Sequence, residues 1–139
     1  MATETLIGKP LHLTVITPAR AVLDADASAV VAPAFDGEVG VLSGHAPMLA
    51  LLGSGELRVN AADGKVRRLA IRGGFLQVNH NKVTVLTPES IAAEEIKADD
   101  VKAELDKINA TKPPTKPEEL EAFESQKAWV KLKEKIRSK

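Results

Sequence analysis

The sequence has no cysteine and no tyrosine, and its aromatic side chains are one tryptophan and three phenylalanines. The absence of cysteine excludes disulfides, thiolate metal sites and a thiol nucleophile. With aromatics at 3% of the chain, Val, Leu, Ile and Ala must build the core, and little surface is left for stacking bases or sugars. Neither sign of charge predominates, with 19 Lys and Arg against 19 Asp and Glu, so a dedicated nucleic-acid binder or a basic membrane-surface protein is not expected. No apolar run approaches the length of a transmembrane helix. Met1–Pro10 lacks the basic and apolar regions of a secretory leader. Direct membrane insertion is therefore not expected, and any membrane association is expected to come through a partner.

Catalytic patterns are missing too. There is no phosphate-cradling P-loop and no G-x-G-x-x-G leading into a helix. His12, His45 and His80 are far apart and have no mutual ligand spacing. His12 alternates with core residues and His80 sits in a turn. Ser28, Ser43, Ser54 and Ser90 lack a nucleophile-elbow context. The expectation is a non-catalytic chain with no cofactor and no metal.

What the chain does contain is a run of short strands followed by a charged helical tail. At 139 residues and 44% hydrophobic it can hold one domain, or a small domain with an appendage. Leu11, Leu13 and Val15 alternate with His12 and Thr14, the period of a strand with one buried face. Val22-Leu23 and Ala29–Ala32 read as two further strands, the latter stopped by Pro33. The stretch from Phe35 to Met48 follows, with three glycines and a proline among small apolar residues. Asp36-Gly37 is a hairpin signal there, and Met48–Leu52 is continuous enough to be a buried strand. Turns at Gly53-Ser54-Gly55, Asp63-Gly64 and Asn79–Lys82 separate the remaining runs, and Gly73-Gly74 reads as a bulge or tight bend. About nine to ten short strands so spaced read as a β-sandwich or flattened barrel over residues 1–87.

Composition changes at Thr87-Pro88. From Glu89 to Lys139 there is no glycine, and 23 of 51 residues are charged. Ala98, Val101, Leu105 and Ile108 share one helix face, predicting a helix over roughly 94–109. The prolines between Asn109 and Pro117 exclude helix there, and Pro117-Glu118-Glu119 starts a second one over about 118–137. Residues 88–139 thus read as an antiparallel two-helix hairpin. Two apolar sets lie on different sides of the second helix: Leu120, Phe123 and Val130, and Trp129, Leu132 and Ile136. Either one set packs on the first helix and the other on the sandwich, or Trp129, Leu132 and Ile136 face another subunit or a second conformation. After residue 125 the helix carries Lys127, Lys131, Lys133, Lys135, Arg137 and Lys139 against Glu134 alone. Acids first and bases last complement the helix dipole, but that explains the order better than the crowding.

The segment Asp36-Gly37-Glu38-Val39-Gly40-Val41-Leu42-Ser43-Gly44-His45-Ala46-Pro47-Met48-Leu49 closely resembles the signature of the epsilon subunit of rotary F-type ATP synthases, the counterpart of the mitochondrial delta subunit. Leu13–Arg20, Gly73–Val78 and Val83–Leu86 resemble other strands of that family, in order and in register, from about Leu11 to Thr87. The resemblance implies the sandwich fold and a non-catalytic rotor subunit. Its partners would be the gamma subunit of the central stalk, the membrane c-ring and, conditionally, the catalytic beta subunits. It would sit peripherally at the cytoplasmic face of a bacterial inner membrane. By carry-over, Glu38 would contact the c-ring with His45 beside it. Lys127, Lys131, Lys135 and Arg137 would meet acidic segments of the beta subunits when the last helix extends, slowing ATP hydrolysis. The ATP-binding pattern I-D-x-x-R-A of some relatives is degraded here: Ile96-Lys97-Ala98-Asp99-Asp100-Val101 has lysine for aspartate and aspartate for arginine. A phosphate would meet Asp100 where a guanidinium is required.

Overall fold

The computed structural model describes residues 8–137. The leader reading of the first residues and the terminal Lys139 of the cationic cluster lie largely or wholly outside that range. Contacts divide the chain into two compact units, with the boundary between Ala92 and Ala93.

The first unit begins as its alternation predicts. In β1 (Leu11–Ile16), Leu11, Leu13 and Val15 are buried and His12 is exposed. The elements that follow are longer than the punctuation implies. β2 (Ala21–Ala34) joins the two runs expected to be separate; after β3 (Gly37–Leu42), β4 (Met48–Ala61) passes through Gly53-Ser54-Gly55 and β5 (Val66–Asn79) through Gly73-Gly74. With β6 (Lys82–Leu86) and β7 (Ser90–Ala92) the described residues form seven strands, which corrects the expected nine to ten. The breakers act inside the ladders instead of ending them. Pro33 cannot donate to a ladder, and the β2–β4 register shifts between Val31 and Ala34 while Pro33 still faces Glu38 of β3. Gly55 gives Pro33 room: a Cβ at Gly55 would lie 2.8 Å from the proline Cβ. Gly74 has φ +115°, and a Cβ there would come within 1.9 Å of the Leu86 carbonyl oxygen.

The strand order is β1-β6-β5-β4-β2-β3, and β1 also pairs with β2, so the sheet closes on itself as a flattened, barrel-like sandwich. β7 adds to β5 through Leu69↔Ala92 and Ile71↔Ser90. It carries the first unit to Ala92, beyond the composition break at Thr87-Pro88 where the boundary was expected. The core is wholly aliphatic, with Leu11, Leu13, Leu57, Leu69, Ile71 and Leu76 among its largest members.

The second unit opens with a 3-10 turn (Ala93–Glu95), followed by α1 (Ala98–Ala110) and α2 (Pro117–Arg137). The first helix starts later than expected. The Ile96 amide closes the 3-10 turn on the Ala93 carbonyl, and Lys97 is extended, with φ −94° and ψ 133°. α2 begins at Pro117 and runs to Arg137, the last described residue, with Glu118 and Glu119 in its first turn. Within this unit α2 packs on α1 and on the 3-10 turn.

Candidate interaction surfaces

The sandwich surface carries an exposed apolar band. In the ladder, Leu51 of β4 faces Phe75 of β5, and Phe75 faces Leu86 of β6. Ile16 of β1 is the register partner of Leu86, and at the other end the Phe35 amide donates to the Leu51 carbonyl at 3.0 Å. Leu51, Phe75 and Leu86 are each about half exposed, while Leu49 and Phe35 reach 70% and 79%. Met48–Leu52 is therefore not the buried strand its continuous apolar run predicts; Leu49 and Leu51 face out and Leu52 is buried. The band adjoins a groove of about 450 Å³ lined by Ile16, Pro18, Phe75, Leu86 and Pro88 among others. Contiguous apolar surface of this kind marks an interaction site more often than a scatter of single residues does. Covering the band would gain roughly 2–5 kcal/mol of transfer free energy before the costs of association.

The β2–β3 turn differs by one residue from its sequence signal. Ala34 pairs with Gly37, so Phe35 and Asp36 form the turn, and Gly37 (φ +141°) begins the next strand. This sets an exposed aromatic at the tip. Glu38 is exposed beside it, opposite Pro33. His45 lies past the other end of β3, with on the order of 13 Å of extended chain between Glu38 and Leu42. The two nominated residues do not form a pair. The loop carrying His45 is tied down by Asn81, a residue the sequence reading passed over. Asn81 is buried, and its Oδ1 accepts from the Gly44 amide at 2.8 Å. Its backbone takes φ +61° beside His80 at +49° in the β5–β6 turn. The repeated Asn in Asn79-His80-Asn81 was the available signal, since Asn tolerates a left-handed backbone and can bond locally.

In α2 the cations have different surroundings. Lys131 and Lys135 are exposed, and Lys127 is half-buried. Arg137 holds Glu134, Nη2 to Oε1 at 2.9 Å and Nε to Oε2 at 3.3 Å. Lys133 crosses to Glu104 of α1. Trp129 and Ile136 are buried and Leu132 is half-buried, so this conformation does not present that apolar set to a partner. A cleft of about 400 Å³ between the helices is lined by Lys102 and Arg137 but also by Asp106 and Glu134. Asp100 stands exposed in the first turn of α1 with Asp99. These carboxylates oppose a phosphate in that region. Among the described residues no group of His, Cys, Asp or Glu could hold a metal ion, and no helix is long and apolar enough to cross a membrane.

Residues 10–93 match the family described as ATP synthase, Delta/Epsilon chain, beta-sandwich domain. The chain belongs to the ATP synthase epsilon-chain family. It is 42% identical over 99 residues to the ATP synthase epsilon chain of Synechococcus sp. (strain JA-2-3B'a(2-13)), covering 71% of this chain and 72% of that one. To the epsilon chain of Symbiobacterium thermophilum it is 49% identical over 87 residues, 62% of each chain. The Symbiobacterium chain is thus matched over less than two thirds of its length. The fold resembles a chain in the Euglena gracilis mitochondrial ATP synthase structure (OSCP/F1/c-ring), with TM-score 0.76 and 24% identity over 99% of this chain and 86% of that one. A chain of the Tetrahymena thermophila central stalk/c-ring structure gives TM-score 0.65 and 18% identity over 94% and 98%. For this epsilon-family chain, the family match lies on the sandwich and its β7 extension.

Proposed function

We propose that this epsilon-family chain is a non-catalytic rotor subunit of a proton-translocating ATP synthase, joining the central stalk to the membrane c-ring. Its α2 acts as a conditional brake on ATP hydrolysis. It works at the cytoplasmic face of a bacterial inner membrane, held there by its partners. The observation that carries the reading is the band Leu51–Phe75–Leu86. A chain with only three phenylalanines and one tryptophan leaves Phe35 and Phe75 at the surface while filling its core with aliphatic residues. The band is the docking face for the gamma subunit. A closed sheet with an aliphatic core is stiff enough to pass torque without bending, because interiors packed at this density resist deformation.

The brake needs an element with two resting places whose populations a partner can bias. α2 has that character. Its folded form is held by Trp129, Val130 and Ile136 and by the bond to Glu104. In the extended form Lys127, Lys131, Lys135 and Arg137 meet acidic segments of the catalytic beta subunits. The same subunit without a brake is the competing reading, and truncation after Ala92, which keeps β7, separates the two. ATP hydrolysis by the assembled enzyme rises on truncation if α2 brakes it, and an unchanged rate leaves a connector only. The docking face is tested by Phe75→Ser together with Leu51→Ser. The exposed positions leave the unfolding midpoint nearly unchanged, while co-purification with the gamma subunit is lost. Retained co-purification would assign the band elsewhere.

A further inference from the structure

The linker over residues 111–116 takes its shape from covalent geometry more than from packing. α1 stops at Ala110, and Thr111 is extended, at φ −88° and ψ 131°. Its amide donates to the Ile108 carbonyl at 3.2 Å and its Oγ1 to the Lys107 carbonyl at 2.7 Å, so the last turn is closed locally. Pro113 and Pro114 follow. Pro117 takes the first position of α2, and the Leu120 amide donates to the Lys116 carbonyl at 2.8 Å. A helix continued through this stretch would lack the amides of all three prolines, and their rings would crowd the carbonyls of Asn109, Ala110 and Pro113. Lys112, Pro113 and Lys116 each precede a proline and are biased to extended backbone. Thr111, Lys112, Pro113, Thr115 and Lys116 are exposed and Pro114 is half-buried, so the linker's shape owes little to contacts.

We propose that residues 111–116 are a permanent elbow, and that the brake moves by α2 swinging about it as one intact helix. α1 and α2 do not join into a rod in any state. This rests on the brake reading above and adds to it how the element moves and how far it reaches. An elbow held by contacts would melt with them, whereas one written in proline rings persists through undocking. α2 also stands alone better than α1. It has 21 residues against 13, with no glycine and no proline after its first position, and isolated helices become marginal below about 12–15 residues. Acids in its first turn and bases in its last complement its dipole without any partner. Its tip reaches about 32 Å from the elbow, where a rod over residues 98–137 would span about 60 Å. The swing is carried by Thr111, Lys112, Thr115 and Lys116, since the φ angles of the prolines are fixed.

The chain has no cysteine, so spin labels on Ala103→Cys and Lys131→Cys, both exposed positions, report the separation of the helices in the full chain within the assembled ATP synthase. An elbow gives the folded-hairpin distance plus a second, broad distribution, whereas a rod gives one narrow distance near about 42 Å. Amide exchange adds a test that needs no substitution at the linker. Lys112, Thr115 and Lys116 exchange within about tenfold of the unstructured rate in the free and the assembled protein. Pro113→Ala, Pro114→Ala and Pro117→Ala combined let the linker turn helical. The second population then narrows toward about 42 Å, and ATP hydrolysis rises toward the rate after truncation at Ala92 because α2 is redirected along the axis of α1. A thermal midpoint within about 4 °C of the wild type separates a changed elbow from a lost fold. A narrow wild-type distance near about 42 Å, with those amides slowed roughly a hundredfold, overturns the elbow. A folded triple variant that matches the wild type in distances and hydrolysis also overturns it. The hairpin distance alone, in an enzyme whose hydrolysis rises on truncation, overturns the swing and leaves the brake standing. Hydrolysis unchanged on truncation overturns the brake reading, and the swing with it.

Discussion

The Lys133 ammonium in α2 lies 3.0 Å from both carboxylate oxygens of Glu104 in α1. It also stands 6.0 Å from the centroid of the Trp129 ring. The lysine is largely buried and the glutamate about one third exposed, so the pair is worth more than a solvated one but less than a dry one. Glu104→Gln should destabilise the docked helices by about 1 kcal/mol, read by urea unfolding followed through the fluorescence of Trp129. In the assembled enzyme the looser hairpin should populate the extended form roughly fivefold more, lowering ATP hydrolysis. An unchanged rate with an altered unfolding midpoint would detach the latch from the brake.

Gly74 and Gly40 should respond in opposite ways to the same change. A Cβ on Gly74 would collide with the Leu86 carbonyl at a backbone φ of +115°, whereas nothing lies within 4 Å of one on Gly40. Gly74→Ala should cost about 3 kcal/mol or more. Gly40→Ala should be neutral or stabilising by about 0.5 kcal/mol, because glycine loses more freedom on folding. Thermal unfolding of the two variants side by side gives the comparison.

His12 sits between two carboxylates of β2, its Nδ1 3.0 Å from Asp26 and its Nε2 2.5 Å from Asp24. The hydrogen bond to Asp26 raises its pKa above the ordinary 6.5, with Asp24 adding to the effect and desolvation opposing it. A raised folded value means stability that is fully present below about pH 6.5 and lost as the pH climbs through the higher folded value. The site is half exposed to solvent, so the amount stays under about 1 kcal/mol. Wild type should exceed His12→Gln in thermal midpoint at about pH 5.5, and the gap should close by about pH 8.5. A gap that widens with rising pH would contradict the assignment.

Asn81 should matter more than its turn position suggests. Its side-chain oxygen takes the Gly44 amide, and its backbone carbonyl takes the His12 amide at 2.8 Å. Asn81→Ala removes the acceptor of the Gly44 amide, costing about 0.5–1.5 kcal/mol because the exposed Gly44 can turn to water. Hydrogen exchange at the Gly44 amide should accelerate ahead of exchange in the β1–β6 ladder.

Much of this molecule was legible in its sequence because periodicity reports burial directly. Leu11, Leu13 and Val15 alternate in the chain and in the structure, and the proline-broken linker before Glu118 separates two real helices. Other features depend on tertiary neighbours. Pro33 and the glycines at 53 and 55 read as stops, yet pairing on both sides carries the strands through them. The run Met48–Leu52 gave no sign that Leu49 and Leu51 face out, because an uninterrupted apolar run carries no period to say which face is covered. The exposure of Phe35 has no period to report it either, since it follows from where the turn closes. The cations of α2 could be counted from sequence, but the partners of Lys133 and Arg137 could not.

The most direct measurement is ATP-driven proton pumping by membrane vesicles whose rotary ATP synthase has been stripped of this subunit, before and after the full chain is added back. A rotor link between stalk and ring predicts that pumping recovers with the chain and fails to recover with Phe75→Ser and Leu51→Ser combined. Pumping that is equally strong without the chain, or equally restored by that variant, would contradict the account.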